Sequence, residues 1–295
     1  MPDIELRFNR DMLVMSAPLD AALERQGFDA ERDRQYLNLM ESDSVLDAMR
    51  MEAAAGAQCL VTPTSDITTA RLAHVRMENN ASELAAAAHD IVAQQKPQHV
   101  IVEIGPCGLP LDASSKASLN ENRSQYAAAA RLFADKQVDA FFLNGFASTS
   151  DLRCALMGVG QVSARPVIAS VDVAADGSLP GGRETLADAL AVMADFGAAV
   201  AGFQTPAAPD AAAMLAKQVR DQVDAPILVQ LVVRERAPRQ GGPTPENPYY
   251  CADAMEGAAV KLYAAGVQFL RATGQATPAY TGALVATVSG LDVRL

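Results

Sequence analysis

Eight short runs of β-branched and large apolar residues recur along this chain, each followed by an Ala-rich segment of helical character. That beat constrains the fold more than any other feature. The runs are MLVMS (12–16), CLVT (59–62), VIVEI (100–104) and AFFLN (140–144), then VIASVDV (167–173), AVAGFQ (199–204), ILVQLVV (227–233) and VQFLRA (267–272). Between them stand stretches such as SDSVLDAMRMEAAA, ASELAAAAHDIVAQQ and RETLADALAVMADF, several opened by Ser, Thr, Asp or Asn in N-cap style. Gly56, Gly197 and Gly266 fall where helices end before the next strand. Strands this continuously apolar are covered on both faces, as in a parallel sheet. Strand then helix, repeated eight times in 295 residues, predicts an α/β chain forming a single (β/α)8 TIM barrel over residues 1–295. A doubly wound open sheet is the competing arrangement, but the chain carries neither GxGxxG nor a P-loop signature at a nucleotide turn.

Half of the residues are hydrophobic, enough for a core of barrel size, and the formal charge of -11 leaves no basic footprint for nucleic acid. The N-terminus, MPDIELRFNRDM, mixes charges, and no run approaches the roughly 20 apolar residues of a membrane span, so a cytoplasmic protein with no membrane partner is expected. Cys59, Cys107, Cys154 and Cys251 lie roughly 45 to 100 residues apart without a CxxC spacing, which argues for isolated thiols rather than a disulfide framework or zinc ribbon. His74, His89 and His99 have no second His or Cys three or four residues on and read as structural or surface residues. The Ala-rich helices are compatible with a homodimer.

A barrel of this kind builds its site at the carboxyl ends of its strands. Two long connections lie on that face: residues 17–41 after the first strand, and residues 234–250, with four prolines, after the seventh. The second reads as a mobile lid, as a packed surface loop or as an oligomer contact. The polar residues at the strand ends are Ser16, Thr62, Thr64, Ser65, Glu103 and Asn144 in the first half of the chain. Asp172, Gln204, Thr205, Gln230, Arg234, Arg271 and Thr273 follow in the second. Glu103, Asp172, Gln230 and Arg271 interrupt apolar strands, where a buried charge or amide must find a partner or meet a ligand. An interior network, for example Arg271 with Glu103 or Asp172, is the structural alternative to ligand binding.

Four segments carry a family resemblance: NLMESDSVLDAMRMEAAAGAQCLVTPTS (38–65), IVEIGPCG (101–108), RPVIASVDVAADGSLPGG (165–182) and ATPAYTGAL (276–284). From about Met12 to the C-terminus the chain resembles the homocysteine S-methyltransferases, including the homocysteine-binding domain of methionine synthases. The resemblance implies a (β/α)8 barrel and a place in methionine biosynthesis. It also implies a zinc ion held by three cysteine thiolates, one after strand six and two after strand eight. The positions matching those cysteines are Thr205, Thr273 and Gly274, so no cofactor is expected here. The family's opening DGAMGT matches Ser16 to Ala21, SAPLDA, and its Glu-Thr pair after strand four is replaced by Asn144 and Gly145.

A zinc ion deprotonates a coordinated thiol, and threonine hydroxyls and glycine cannot take the place of thiolate ligands. The expected function is therefore that of a divergent family member binding a small polar metabolite, such as an amino acid, with zinc-dependent methyl transfer lost. Arg271 would hold a carboxylate or lower a thiol's pKa, and Glu103 or Asp172 would hold an amine. A non-catalytic barrel serving a corrinoid or folate methyl-transfer protein is the alternative. A new lyase or hydrolase activity on the same scaffold is a third reading, and no nucleophile motif supports a particular reaction.

Overall fold

The computed structural model describes residues 3–294; Met1, Pro2 and Leu295, the ends of the expected 1–295 unit, lie outside the described residues. Eight parallel strands form the barrel: β1 (Leu13–Val14), β2 (Cys59–Val61), β3 (His99–Ile104), β4 (Ala140–Phe146), β5 (Val167–Asp172), β6 (Val200–Thr205), β7 (Ile227–Val233) and β8 (Phe269–Gly274). From β2 to β8 each pairs with its sequence neighbour, and β1 pairs with β8. Between β1 and β2 the seam is held by a parallel bridge from Met15 to Cys59. The Gln58 side chain reinforces it by accepting from Val14 N at 2.9 Å. The predicted barrel is thus present.

The helices are α1 (Asp20–Arg25), α2 (Ala30–Met40), α3 (Ser42–Ala54), α4 (Thr69–His74), α5 (Ala81–Ala93) and α6 (Lys116–Arg131). They continue with α7 (Thr149–Gly160), α8 (Leu186–Asp195), α9 (Pro209–Arg220), α10 (Ala254–Ala264) and α11 (Pro278–Val288). The sequence places a long connection at 17–41, and the structure folds most of it into α1 and α2. Their apolar faces bury Leu23 and Leu37 against the barrel. No helix among the described residues is long and apolar enough to cross a membrane.

Side chains alternate across each strand with a period of two. One set packs outward against the helices, and the other, including Leu13, Met15, Cys59, Val61, Ile101, Phe142, Ile168, Leu228 and Phe269, fills the barrel interior. Ile4, in a short 3-10 turn ahead of β1, joins that interior cluster. One step of two toward the carboxyl end, interior apolar residues on five of the strands give way to polar ones. Ile101 is followed by Glu103, Phe142 by Asn144, Ile168 by Ser170, Leu228 by Gln230 and Phe269 by Arg271. The interior is therefore apolar below and polar above, and the change of layer sets the floor of the mouth. On β6 this stack passes through Gly202, where a Cβ would stand 2.9 Å from the Leu228 Cβ, so the glycine lets β6 and β7 approach.

Candidate functional site

Arg271, 1% exposed, stands at the centre of that polar floor. Its Nη2 donates to Glu103 Oε2 at 3.1 Å and its Nη1 to Gln230 Oε1 at 3.2 Å. Gln230 Nε2 donates to Asn144 Oδ1 at 2.7 Å, and Asn144 Nδ2 donates to Glu103 Oε1 at 2.7 Å. These bonds close a ring across β8, β3, β4 and β7, with Ser170 Oγ of β5 attached through Gln230 at 2.8 Å. Arg271 Nε reaches the Ser16 carbonyl at 2.8 Å, and the guanidinium lies 5.3 Å over the Phe142 ring beneath it. A buried ion pair is tolerable when its remaining donors and acceptors are satisfied, and this ring satisfies both Glu103 oxygens.

Above the ring opens a cavity of about 380 Å³. Asp20 of α1, Arg34 and Asn38 of α2, and Asp66 and Arg71 beyond β2 wall it on one side; Thr273 and Gly274 close the other. Arg34 Nε contacts Asp20 Oδ1 at 2.8 Å and Arg34 Nη1 lies 3.4 Å from Asp66 Oδ2. Arg71 Nε lies 3.6 Å from Asp66 Oδ1 and donates to the Pro106 carbonyl at 3.0 Å. Burial pushes the Asp20 carboxyl above its usual range, although Arg34 pulls against it. For Arg34, burial opposes the charge, yet Asp20, Asp66 and Glu103 together raise its pKa. Three carboxylates (Asp20, Asp66, Glu103) and three guanidinium groups (Arg34, Arg71, Arg271) line the cavity, so its formal charge is balanced.

Of the residues singled out from sequence, Thr62, Ser65, Glu103, Asn144, Gln204, Arg271 and Thr273 line this cavity. Gln230 lies beneath it, in the ring. Ser16 serves the seam instead, its Oγ accepting from Val61 N at 2.9 Å. Thr64 is turned aside: its hydroxyl donates to the Glu103 carbonyl at 2.7 Å and meets the Thr62 hydroxyl at 2.6 Å. Thr205 is fully buried outside the cavity, with its Oγ accepting from Ala207 N at 3.2 Å. Asp172 lines a neighbouring cavity of about 430 Å³. Arg234 is exposed. Most of the loop after β7 is exposed, and its end is anchored: Asn247 donates to the carbonyls of Arg234 and Glu235, and the Tyr249 hydroxyl donates to Ala207 O at 2.7 Å.

Sequence reasoning missed Asp20, Arg34, Asn38, Asp66 and Arg71. A usable signal stood in α2: Arg34 and Asn38 are four residues apart, hence on one helical face, and Leu37 is buried beside them. It also missed Glu52, 2% exposed, whose Oε2 accepts from Ala17 N at 2.9 Å and Thr281 Oγ at 2.6 Å. Burial raises that carboxyl's pKa.

No cysteine lines either cavity. Cys107 turns outward beneath α6, its Sγ 3.0 Å from Asn122 Oδ1, and burial raises its pKa. Cys59, inside the barrel, is pushed up to about 12 by the same cause. At the positions that the resemblance aligns with zinc thiolates, Thr205 points away from the mouth. A Cβ on Gly274, whose φ is +67, would overlap the Val233 carbonyl oxygen. The residues present do not fit a tetrahedral thiolate site. Among the described residues no group of three or more His, Cys, Asp or Glu is placed to hold a metal ion. Gly274→Cys and Gly274→Ala are both expected to destabilise the protein by on the order of 2 kcal/mol in urea unfolding, because the added Cβ and not the thiol causes the strain. A fully tolerated cysteine would contradict this.

A family model described as homocysteine S-methyltransferase matches residues 13–285. Among solved structures, the metallated form of the homocysteine methyltransferase MmuM from Escherichia coli is similar with a TM-score of 0.75 and 15% identity, over 94% of this chain and 96% of that one. Its apo form gives a TM-score of 0.70 at 15% identity with the same coverage. The Y628A carboxyl transferase domain of Rhizobium etli pyruvate carboxylase, solved with pyruvate, gives 0.53 at 12% identity, over 89% of this chain and 40% of that one. At these identities the structural likeness establishes the fold alone. No curated protein matches the chain.

Proposed function

The chain belongs to the homocysteine S-methyltransferase family, and from that premise we propose that it binds a small zwitterionic metabolite of the amino-acid class at its barrel mouth, without zinc-dependent methyl transfer to homocysteine. The observation that carries this reading is the balanced charge of the mouth cavity, within which Asp66 is only loosely paired. The Arg34–Asp66 and Arg71–Asp66 contacts, at 3.4 and 3.6 Å, exceed the roughly 2.7–2.9 Å of a tight charge-assisted hydrogen bond. A ligand carboxylate takes the place of Asp66 on either guanidinium at little cost, and its ammonium group is received by Asp20 or Asp66. A net charge on the ligand would leave one wall group unpaired.

The same geometry argues against activation of a thiol. A free thiol with a pKa near 8.5 is only about 3% ionised at pH 7. Arg271 is the guanidinium nearest the floor, and Glu103 at 3.1 Å offsets its pull. Together with the misfit of Thr205, Thr273 and Gly274 to zinc, this supports binding over methyl transfer.

Calorimetric titration with homocysteine, methionine and other small amino acids tests the reading. One zwitterion is expected to bind in the micromolar to millimolar range, about -8 to -4 kcal/mol, and Arg34→Ala to weaken it about tenfold. Tightly held zinc at one equivalent per chain, with methionine formed from homocysteine, would end it. The alternative of a non-catalytic partner for a corrinoid or folate protein predicts no heat with any amino acid and co-elution with such a protein.

A further inference from the structure

We propose that the second cavity, beside Asp172, is a separate binding site for a ligand presenting an alkylammonium group. Asp172 ends β5 and lies in register with Gln204 of β6. Gln204 Nε2 donates to Asp172 Oδ1 at 3.1 Å, and Gln204 lines both cavities, so this amide is the partition between them. The other acids of the mouth, Asp20, Asp66 and Glu103, each face an arginine. Asp172 has no ion-pair partner and its Oδ2 accepts no hydrogen bond among the described residues. Burial alone raises its pKa, to about 6, so its ionised form lacks a counter-charge that a ligand can supply.

The remaining walls fix the rest of the ligand. Val173, Ala174, Leu179, Pro180, Pro206 and Val232 give apolar surface, and the cavity of about 430 Å³ contains no basic side chain. A short alkyl stem ending in an ammonium group fits this surface. A zwitterion does not, because its carboxylate would meet no cation. The outer wall is a loop with Gly177, Gly181 and Gly182 at φ of +83, +92 and +66. It is held in shape by the Ser178–Thr185 bridge and by Leu179 N donating to Glu184 O at 2.9 Å. The site therefore differs in charge character from the balanced main cavity, although the two share a wall.

The test uses n-butylammonium chloride as probe against the full chain, with n-butanol and butyrate as controls, read by NMR shifts of Ala174 and Leu179 amides. Butylammonium is expected to bind in the millimolar range, both controls at least about tenfold more weakly, and Asp172→Asn to lose about tenfold or more in affinity. Asp172→Asn is nearly isosteric and keeps an acceptor for Gln204, and it is expected to leave the amino-acid titration of the main cavity unchanged. Undiminished butylammonium binding in Asp172→Asn, or equal binding of butanol, overturns the proposal. Failure of every amino acid to bind while butylammonium still does would sink the main-cavity reading alone; the reverse pattern would sink this one alone.

Discussion

Arg271→Met is expected to cost about 3–5 kcal/mol of stability, because it leaves the Glu103 charge buried without its partner. For a chain of this length that corresponds to a fall in Tm of roughly 5–8 °C. The loss is more than one ion pair. The Gln230 Oε1 and Ser16 carbonyl acceptors are orphaned as well, and the ring through Asn144 opens. Adding Glu103→Gln to Arg271→Met removes the unpaired charge, and the double variant is expected to recover about half of the loss or more. Thermal unfolding followed by circular dichroism measures all three proteins. If Arg271→Met unfolds within a degree or two of the parent, the ring contributes little and the guanidinium is held by packing against Phe142 alone.

Asp172→Asn is expected to act in the opposite direction, stabilising the protein at pH 7 by on the order of 2 kcal/mol. The folded-state pKa of about 6 lies above the ordinary 3.8, so the folded protein holds this proton more tightly than the unfolded chain. The carboxylate therefore costs stability in full above about pH 6, progressively less between pH 6 and pH 4, and nothing below. Urea unfolding of both proteins across that range should show the variant's advantage at pH 7 vanish by pH 4. Partial exposure of the side chain keeps the figure below what complete burial would give. An advantage independent of pH would mean that the introduced amide gains from packing and not from lost charge. A carboxylate maintained against its own stability, beside a cavity without a counter-charge, is what a binding site requires and a structural residue does not.

The same two residues mark how far the linear chain could be read. Arg271 and Glu103 stand out in sequence because each interrupts a run of apolar strand residues, and either had to be paired or to meet a ligand. Arg271 was open between Glu103 and Asp172; the barrel gives it Glu103 and leaves Asp172 beyond Gln204. Thr205 and Thr273 are equally conspicuous at strand ends, but strand alternation and the path of the following loop bury the first away from the mouth and leave the second lining it. Asp20 carried no comparable flag, and Arg34 only its four-residue spacing from Asn38. They sit in a polar, irregular stretch whose helices pack over the mouth only because Leu23 and Leu37 bury there.

The succession of eight strands, each with a major helix before the next, and the lack of thiols at positions 205, 273 and 274 were determined by the sequence alone, since each depends on residues close together in the chain, whereas α1, α2 and α4 appeared only in the structure. Which charges meet was decided by the closed barrel, because Glu103 and Arg271 are 168 positions apart and approach only when β3 and β8 take their places around it. The long-range geometry also separated one acid from every arginine, and local periodicity holds no record of distances across a barrel.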